Sequence, residues 1–296
     1  MIRPRRIGHA TFETPDLDKA IAYYDKFMGL IVAEREKDRA YLATKIGQLV
    51  IELDKSDRAH CIKLSFEVAP NSDFGELAKE LAKDGIRSEL RNDSIPGIGQ
   101  VLSFADDKGT IIELFRDWSY LGKHEQVAGI GPLKLGHVAF FTPDIRRTVG
   151  FYEKVLGFRV SDWIGDSACL LRIDPVHHKL AVFKGDKPGL CHMNFQVAAI
   201  DDVFRSWHFL LDHGVEIEMG PGRHPQSTAI FLYFLGPEGF TYEYSFGVRR
   251  IDDDATWVPR TFDPDEIGSI DMWLGPVRRV SSQAQLQPER AGADTS

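Results

Sequence analysis

His137, His192 and Glu243 are the residues of this chain best suited to hold a metal ion. Two imidazoles and a carboxylate leave about three positions open on an octahedral divalent cation; this is the donor set of non-haem Fe(II) sites, and Mn(II) fills it equally. Taken singly, each residue has a plainer reading. A histidine on a half-buried strand is more often structural than a ligand. A glutamate between Tyr242 and Tyr244 ordinarily points out of its sheet. The three gain weight from where they fall in a repeated scaffold.

Ile7-Gly8-His9-Ala10-Thr11-Phe12-Glu13-Thr14-Pro15-Asp16 is matched by Leu135-Gly136-His137-Val138-Ala139-Phe140-Phe141-Thr142-Pro143-Asp144, 128 residues later (137 − 9). Ala22-Tyr23-Tyr24-Asp25-Lys26 is matched likewise by Gly150-Phe151-Tyr152-Glu153-Lys154. The chain is an internal duplication, and a residue missing from one copy cannot be essential to the shared fold. His9 aligns with His137 and Glu113 with Glu243, but Lys63 stands where the second copy has His192. Lysine is protonated at neutral pH and makes a poor ligand, so the first copy is expected to have lost its metal. His60 lies three residues out of register for replacing it, and His9 and Glu113 read as remnants ion-paired with Lys63.

The elements that must position these side chains follow from periodicity and turn residues. An α+β fold is expected, with two tandem domains, each of two βαβββ modules paired with pseudo-twofold symmetry into a half-open barrel. In the second copy, strands are predicted at Leu133–Phe141, Arg159–Trp163, Ala168–Ile173 and Lys179–Phe183, with a helix from Asp144 to Leu156. Thr142-Pro143-Asp144 ends the strand and caps that helix, whose Val149, Tyr152 and Leu156 share one apolar face. The second module takes strands at Leu190–Val197, Val215–Met219, Ala229–Leu235 and Phe240–Phe246, and a helix from Asp201 to Asp212. The first copy repeats this plan from Ile7 to Phe115.

Domains are expected at 1–120 and 130–250, the first without its metal and the second catalytic, with Asp117–Pro132 as a Gly-punctuated linker. Residues 251–280 carry Trp257, Phe262, Ile267 and Trp273 and are expected to pack on the second domain. Residues 281–296 are polar and read as a disordered tail.

A net charge of −8 argues against nucleic acid or an anionic membrane surface as partner. No apolar run reaches the length of a membrane span, and the basic start lacks the apolar core of an export signal. Three cysteines, Cys61, Cys169 and Cys191, suit a reducing cytoplasm better than a disulfide framework.

Gly220-Pro221-Gly222-Arg223-His224-Pro225-Gln226-Ser227 follows His192; Tyr233 comes nine residues after His224, and Glu243 ten after Tyr233. With the Gly-His-Val and Cys-His-Met-Asn-Phe strands, this ordering resembles the type I extradiol ring-cleaving dioxygenases of the vicinal oxygen chelate superfamily, over about Arg5 to Phe246. The resemblance implies a catecholic substrate cleaved with O₂ at Fe(II), with His224 and Tyr233 holding the substrate oxygens and Ser227 a weaker contact. It also implies a further catalytic histidine ahead of Lys179-Leu180-Ala181, poised near its pKa at neutral pH. His177 and His178 both qualify; the family pattern favours His178, and strand alternation lets only one of them face the metal. Homo-oligomers are common in the family.

Cys191 departs from the family, which often has a second histidine there, and alternation points it away from the metal into the core. Trp163, Phe183 and Trp257 are candidate pocket residues, though core packing is the ordinary role for each. Arg223 and Arg260 are candidates for a substrate carboxylate, with a surface role as the plain reading. His208 and His213 read as surface or structural. Two rival functions use the same modules: a metal-dependent glyoxalase or isomerase, commonly with four protein ligands, and a metal-free small-molecule-binding protein.

Overall fold

The structure, a computed structural model, describes residues 2–92, 95–124 and 126–276. The first half runs β1 (Arg6–Thr14), α1 (Leu17–Tyr23), β2 (Ile31–Arg35), β3 (Arg39–Ala43), β4 (Leu49–Lys55), then β5 (His60–Glu67), α2 (Phe74–Lys83), β6 (Ser88–Arg91), β7 (Val101–Ala105) and β8 (Ile111–Phe115). Its eight strands form one sheet in the order β2-β3-β4-β1-β5-β8-β7-β6. Within each module the first strand lies parallel to the last, and the modules join through the antiparallel β1–β5 pair.

The second half repeats this as β9 (Lys134–Thr142), α3 (Ile145–Leu156), β10 (Arg159–Ile164), β11 (Ala168–Arg172), β12 (Leu180–Lys184), then β13 (Gly189–Gln196), α4 (Ile200–Asp212), β14 (Ile217–Arg223), β15 (Ile230–Leu235) and β16 (Thr241–Phe246). A short β17 (Arg260–Phe262) adds to the β10 edge, giving β14-β15-β16-β13-β9-β12-β11-β10-β17. Helix α3 shows how local sequence sets these elements. The Asp144 carboxylate accepts from the Arg147 amide at its start, Gly157 ends it at φ +63°, and Val149, Tyr152 and Leu156 are buried.

The halves are folded onto each other rather than strung apart. Phe12 packs edge-on against Phe240 with ring centroids 4.9 Å apart, and Phe66 against Phe158 at 5.8 Å. The Tyr24 and Tyr242 hydroxyls hydrogen-bond in the core, and Tyr152 donates to Asp106 at 2.9 Å. One apolar core therefore runs through both sheets.

Two expectations change. Strand β14 continues beyond Met219 to Arg223, because a break in its register with β15 absorbs Gly220-Pro221 and pairing resumes at Gly222. The C-terminal segment adds β17 to the edge of the second sheet, and the Trp257 indole donates to the Ser161 carbonyl at 2.8 Å. Within it, however, Ile267 is 83% and Trp273 45% exposed, so those two side chains do not anchor it; buried Ser269 and Asp271 do. Asp271 accepts from the amides of Arg223, Trp273 and Gly275. The tail expected at 281–296 lies outside the described residues. Among those described, no helix is long and apolar enough to cross a membrane.

Candidate metal centre and its cavity

Strand pairing brings the three candidate ligands together. Asn194 on β13 is the register partner of His137 on β9 and of Glu243 on β16. Register partners share a sheet face, and His192, two residues before Asn194, lies on that same face. The strands can seat Asn194 between them only because residue 136 is glycine; a β-carbon there would stand 2.0 Å from the Asn194 Oδ1.

The His137 Nε2 lies 3.0 Å from the His192 Nε2 and 3.0 Å from the Glu243 Oε2, and His192 lies 3.5 Å from that oxygen. One ligand atom from each falls within 4.8 Å of the others. Among the described residues, neither Glu243 oxygen has a partner in hydrogen-bond geometry, although the carboxylate is fully buried. Asn194 and Tyr233 beside it compensate the buried carboxylate only in part, and a divalent cation between these three groups would satisfy it. Burial holds both imidazoles neutral, with His137 and His192 lowered to about 3. Burial raises Glu243, against the opposing pull of His192 and His224. Neutral imidazole nitrogens and a carboxylate are the forms a metal needs.

Around this centre stand three further polar side chains. His224 Nε2 is 3.1 Å from the Tyr233 hydroxyl and 3.8 Å from Glu243, and its Nδ1 donates to the Ile270 carbonyl at 2.7 Å. The His224 ring stacks on Phe231, with centroids 4.0 Å apart. Tyr233 sits opposite Glu243 in the β15–β16 register, and burial holds its hydroxyl protonated. His178 packs against His137 at 4.2 Å between centroids. His177 turns to the other side, its Nε2 2.8 Å from Asp162. Burial, then the surrounding histidines, lower His178 well below the ordinary value, so the imidazole is neutral rather than poised near its pKa at neutral pH.

These groups open onto a cavity of about 380 Å³, within the size range of small-molecule sites. His137, His178, His192, His224, Ser227 and Tyr233 line it, and its other walls include Ile164, Leu170, Phe183, Met219 and Ile270. Cys191 lines it too, contrary to the alternation argument. The β13–β9 register shifts between Leu190 and His192, and that irregularity turns the thiol inward, 3.5 Å from the His192 Nδ1. Glu218, hydrogen-bonded to Thr241 at 2.8 Å, also faces the cavity. Nothing in the sequence marked Glu218 or Ile270.

Trp163 and Trp257 lie elsewhere, Trp163 under the Arg146 guanidinium at 3.9 Å and Trp257 beside Arg260 at 5.2 Å. Arg223 is held by the Thr228 carbonyl and Arg260 by Asp162, so neither lines the cavity. His208 and His213 are exposed on and just after α4.

In the first sheet the corresponding place is filled by charge. Glu113 accepts from Ser65 at 2.9 Å and from Arg91 at 2.5 Å, with Lys63 at 3.8 Å and His9 at 3.7 Å. Lys63 also lies 3.5 Å from buried Glu52.

The model of the Glyoxalase/Bleomycin resistance protein/Dioxygenase superfamily matches residues 134–244. The 2,2',3-trihydroxybiphenyl dioxygenase of Sphingomonas paucimobilis is 25% identical over 291 residues, 91% of this chain and 98% of the relative. Metapyrocatechase 2 of Cupriavidus necator is 28% identical over 297 residues, 92% of this chain and 90% of the relative. Other homologues include a manganese-dependent and an iron-dependent enzyme. The crystal structure of a Mn(II)-bound glyoxalase from Novosphingobium aromaticivorans matches at a TM-score of 0.86 and 27% identity, covering 97% of this chain and 96% of that one. Residues 134–244 are a domain of that superfamily, and over most of its length this chain, with its vicinal oxygen chelate fold, is a homologue of the extradiol ring-cleaving dioxygenases.

Proposed function

We propose that this protein cleaves the aromatic ring of a catecholic substrate beside its hydroxyls and incorporates both atoms of O₂, in the degradation of aromatic compounds. The observation that carries the reading is the convergence of His137, His192 and Glu243, whose two imidazoles open on one cavity with His178, His224 and Tyr233. Fe(II), or Mn(II), held by those three ligands would supply Lewis-acid activation of the diol and a redox path to O₂. Tyr233 and His224 orient the diol oxygens, and Ser227 borders it. His178, neutral and beside His137, handles protons at the reacting face.

The substrate's remaining substituent is uncharged and apolar. The cavity walls include apolar Ile164, Leu170, Phe183 and Met219, and among the described residues no lysine or arginine lines them. Residues 1–120 act as a scaffold without metal. Exposed Met272, Trp273 and Leu274 offer a surface for homo-oligomer assembly. Three free cysteines favour the cytoplasm, and a net charge of −8 disfavours nucleic acid and membrane partners.

Anaerobic purification, metal analysis and a panel of substituted catechols with O₂ test this. A coloured ring-cleavage product that depends on Fe(II) or Mn(II) is expected. The likeness to a glyoxalase supports the alternative of an isomerase, and tight metal binding without O₂ uptake across the panel would select it. Failure to bind any metal would leave a binding protein.

A further inference from the structure

Behind His178, on the side away from the metal ligands, runs a chain of buried groups with no part in the reading above. Asp162 on β10 is fully buried, as is His177. Arg260, on β17, donates to Asp162 Oδ1 through its backbone amide at 2.8 Å and its Nε at 3.1 Å, and to Oδ2 through Nη2. The same Oδ2 lies 2.8 Å from the His177 Nε2. The His177 Nδ1 in turn lies 3.1 Å from the His178 Nδ1.

An ionised carboxylate only accepts hydrogen bonds. Hydrogen bonds from His177 and Arg260 outweigh burial and lower Asp162, so it is ionised and the His177 Nε2 must carry a hydrogen. A neutral imidazole has one donor and one acceptor nitrogen, so the His177 Nδ1 is an acceptor and the His178 Nδ1 must donate to it. The His178 Nε2 is then left as a bare acceptor. We propose that Asp162 and His177 are positioning residues that fix the tautomer of His178, so that the imidazole meets a substrate hydroxyl at the cavity as a hydrogen-bond acceptor.

Arg260 gives the mechanism its directionality. Its donors to Oδ1 are a backbone amide and a guanidinium nitrogen, neither of which can accept. Its Nη2, which donates to Oδ2, has a second acceptor in the Gln226 carbonyl at 2.8 Å, so in Asp162→Asn the amide oxygen keeps the two Oδ1 donors and the amide NH₂ turns toward His177. His177 would then accept at Nε2 and donate from Nδ1, and His178 would carry its hydrogen on Nε2. One substitution, two residues removed from the cavity, inverts the face that His178 presents.

The proposal rests on the dioxygenase reading for its purpose, but its test does not. Long-range ¹H–¹⁵N spectra of the histidine-labelled, metal-free protein report which ring nitrogen carries hydrogen, whether or not the enzyme turns over. The expected result is His178 protonated at Nδ1 in the wild type and at Nε2 in Asp162→Asn. The loaded Asp162→Asn enzyme should then lose about 10²-fold in kcat while KM for catechol stays within a few-fold. A wild-type His178 with its hydrogen on Nε2 would overturn the proposal even if the variant failed to fold. So would the same His178 tautomer in both proteins.

Discussion

Lys63 stands 3.8 Å from Glu113 in the first sheet, at the place His192 takes 3.5 Å from Glu243 in the second. The two sheets share a topology but face their carboxylates with opposite chemistry. Beside His9, Glu113 is held by the Lys63 and Arg91 cations and the Ser65 hydroxyl, whereas Glu243 is approached by the His137 and His192 imidazoles, which a metal can use. One metal ion per chain is therefore expected. Metal analysis after anaerobic loading should read one equivalent in the wild type, unchanged in Lys63→Ala. In His192→Ala, affinity should fall by more than about 100-fold and activity with it.

The acid limb of stability should carry the same signature. Burial opposes ionisation of Glu113, but His9, Lys63 and Arg91 outweigh it and lower the carboxyl to about 2 from its ordinary 4.5. A group whose folded pKa is depressed stabilises the fold above its unfolded value and loses that contribution as pH falls through the folded one. The stability advantage of wild type over Glu113→Gln should thus be full above pH 4.5 and shrink toward pH 2. It should amount to roughly 2–3 kcal/mol at neutral pH. Urea denaturation at a series of pH values checks this, and a gap that does not change with pH would remove Glu113 as its source.

Much of this was open to reading in the sequence, for a physical reason. Each candidate ligand lies on a strand of period two, and the duplication supplied the alignment that singled out His137, His192 and Glu243 among ten histidines and the many carboxylates. What escaped depends on irregular pairing and on distance along the chain. A single register shift after Leu190 turns Cys191 inward, and period-two logic cannot foresee it. The Asp162–Arg260 contact spans 98 residues and is made by a three-residue strand beyond the repeat, where no second copy exists for comparison. Ile270 reaches the cavity through that same segment.

Tyr233 and His224 should act on substrate rather than on metal. The hydroxyl hydrogen-bonds His224 at 3.1 Å, and neither residue belongs to the converging ligand set. Tyr233→Phe removes one hydrogen bond to a charged oxygen, worth on the order of 1.5–3 kcal/mol. A fall in kcat/KM of about 10- to 100-fold is expected, with metal content retained. Loss of the metal together with activity would instead place Tyr233 in support of Glu243.

Glu218 gives the sharpest view of substrate choice. Its carboxylate faces the cavity from β14, held by Thr241, and among the described residues the same walls carry no lysine or arginine. A ring carboxylate entering there would be desolvated beside a like charge. Wild type should therefore favour alkyl- or aryl-substituted catechols over carboxylated ones. Glu218→Gln keeps the shape and the Thr241 contact but removes the charge, so kcat/KM for a carboxylated catechol should rise about tenfold. For an alkylcatechol it should hold within about twofold. An equal change for both substrates would mean that Glu218 shapes the wall rather than selecting by charge, and the choice of substituent would then rest with the apolar faces of Leu170, Phe183 and Met219.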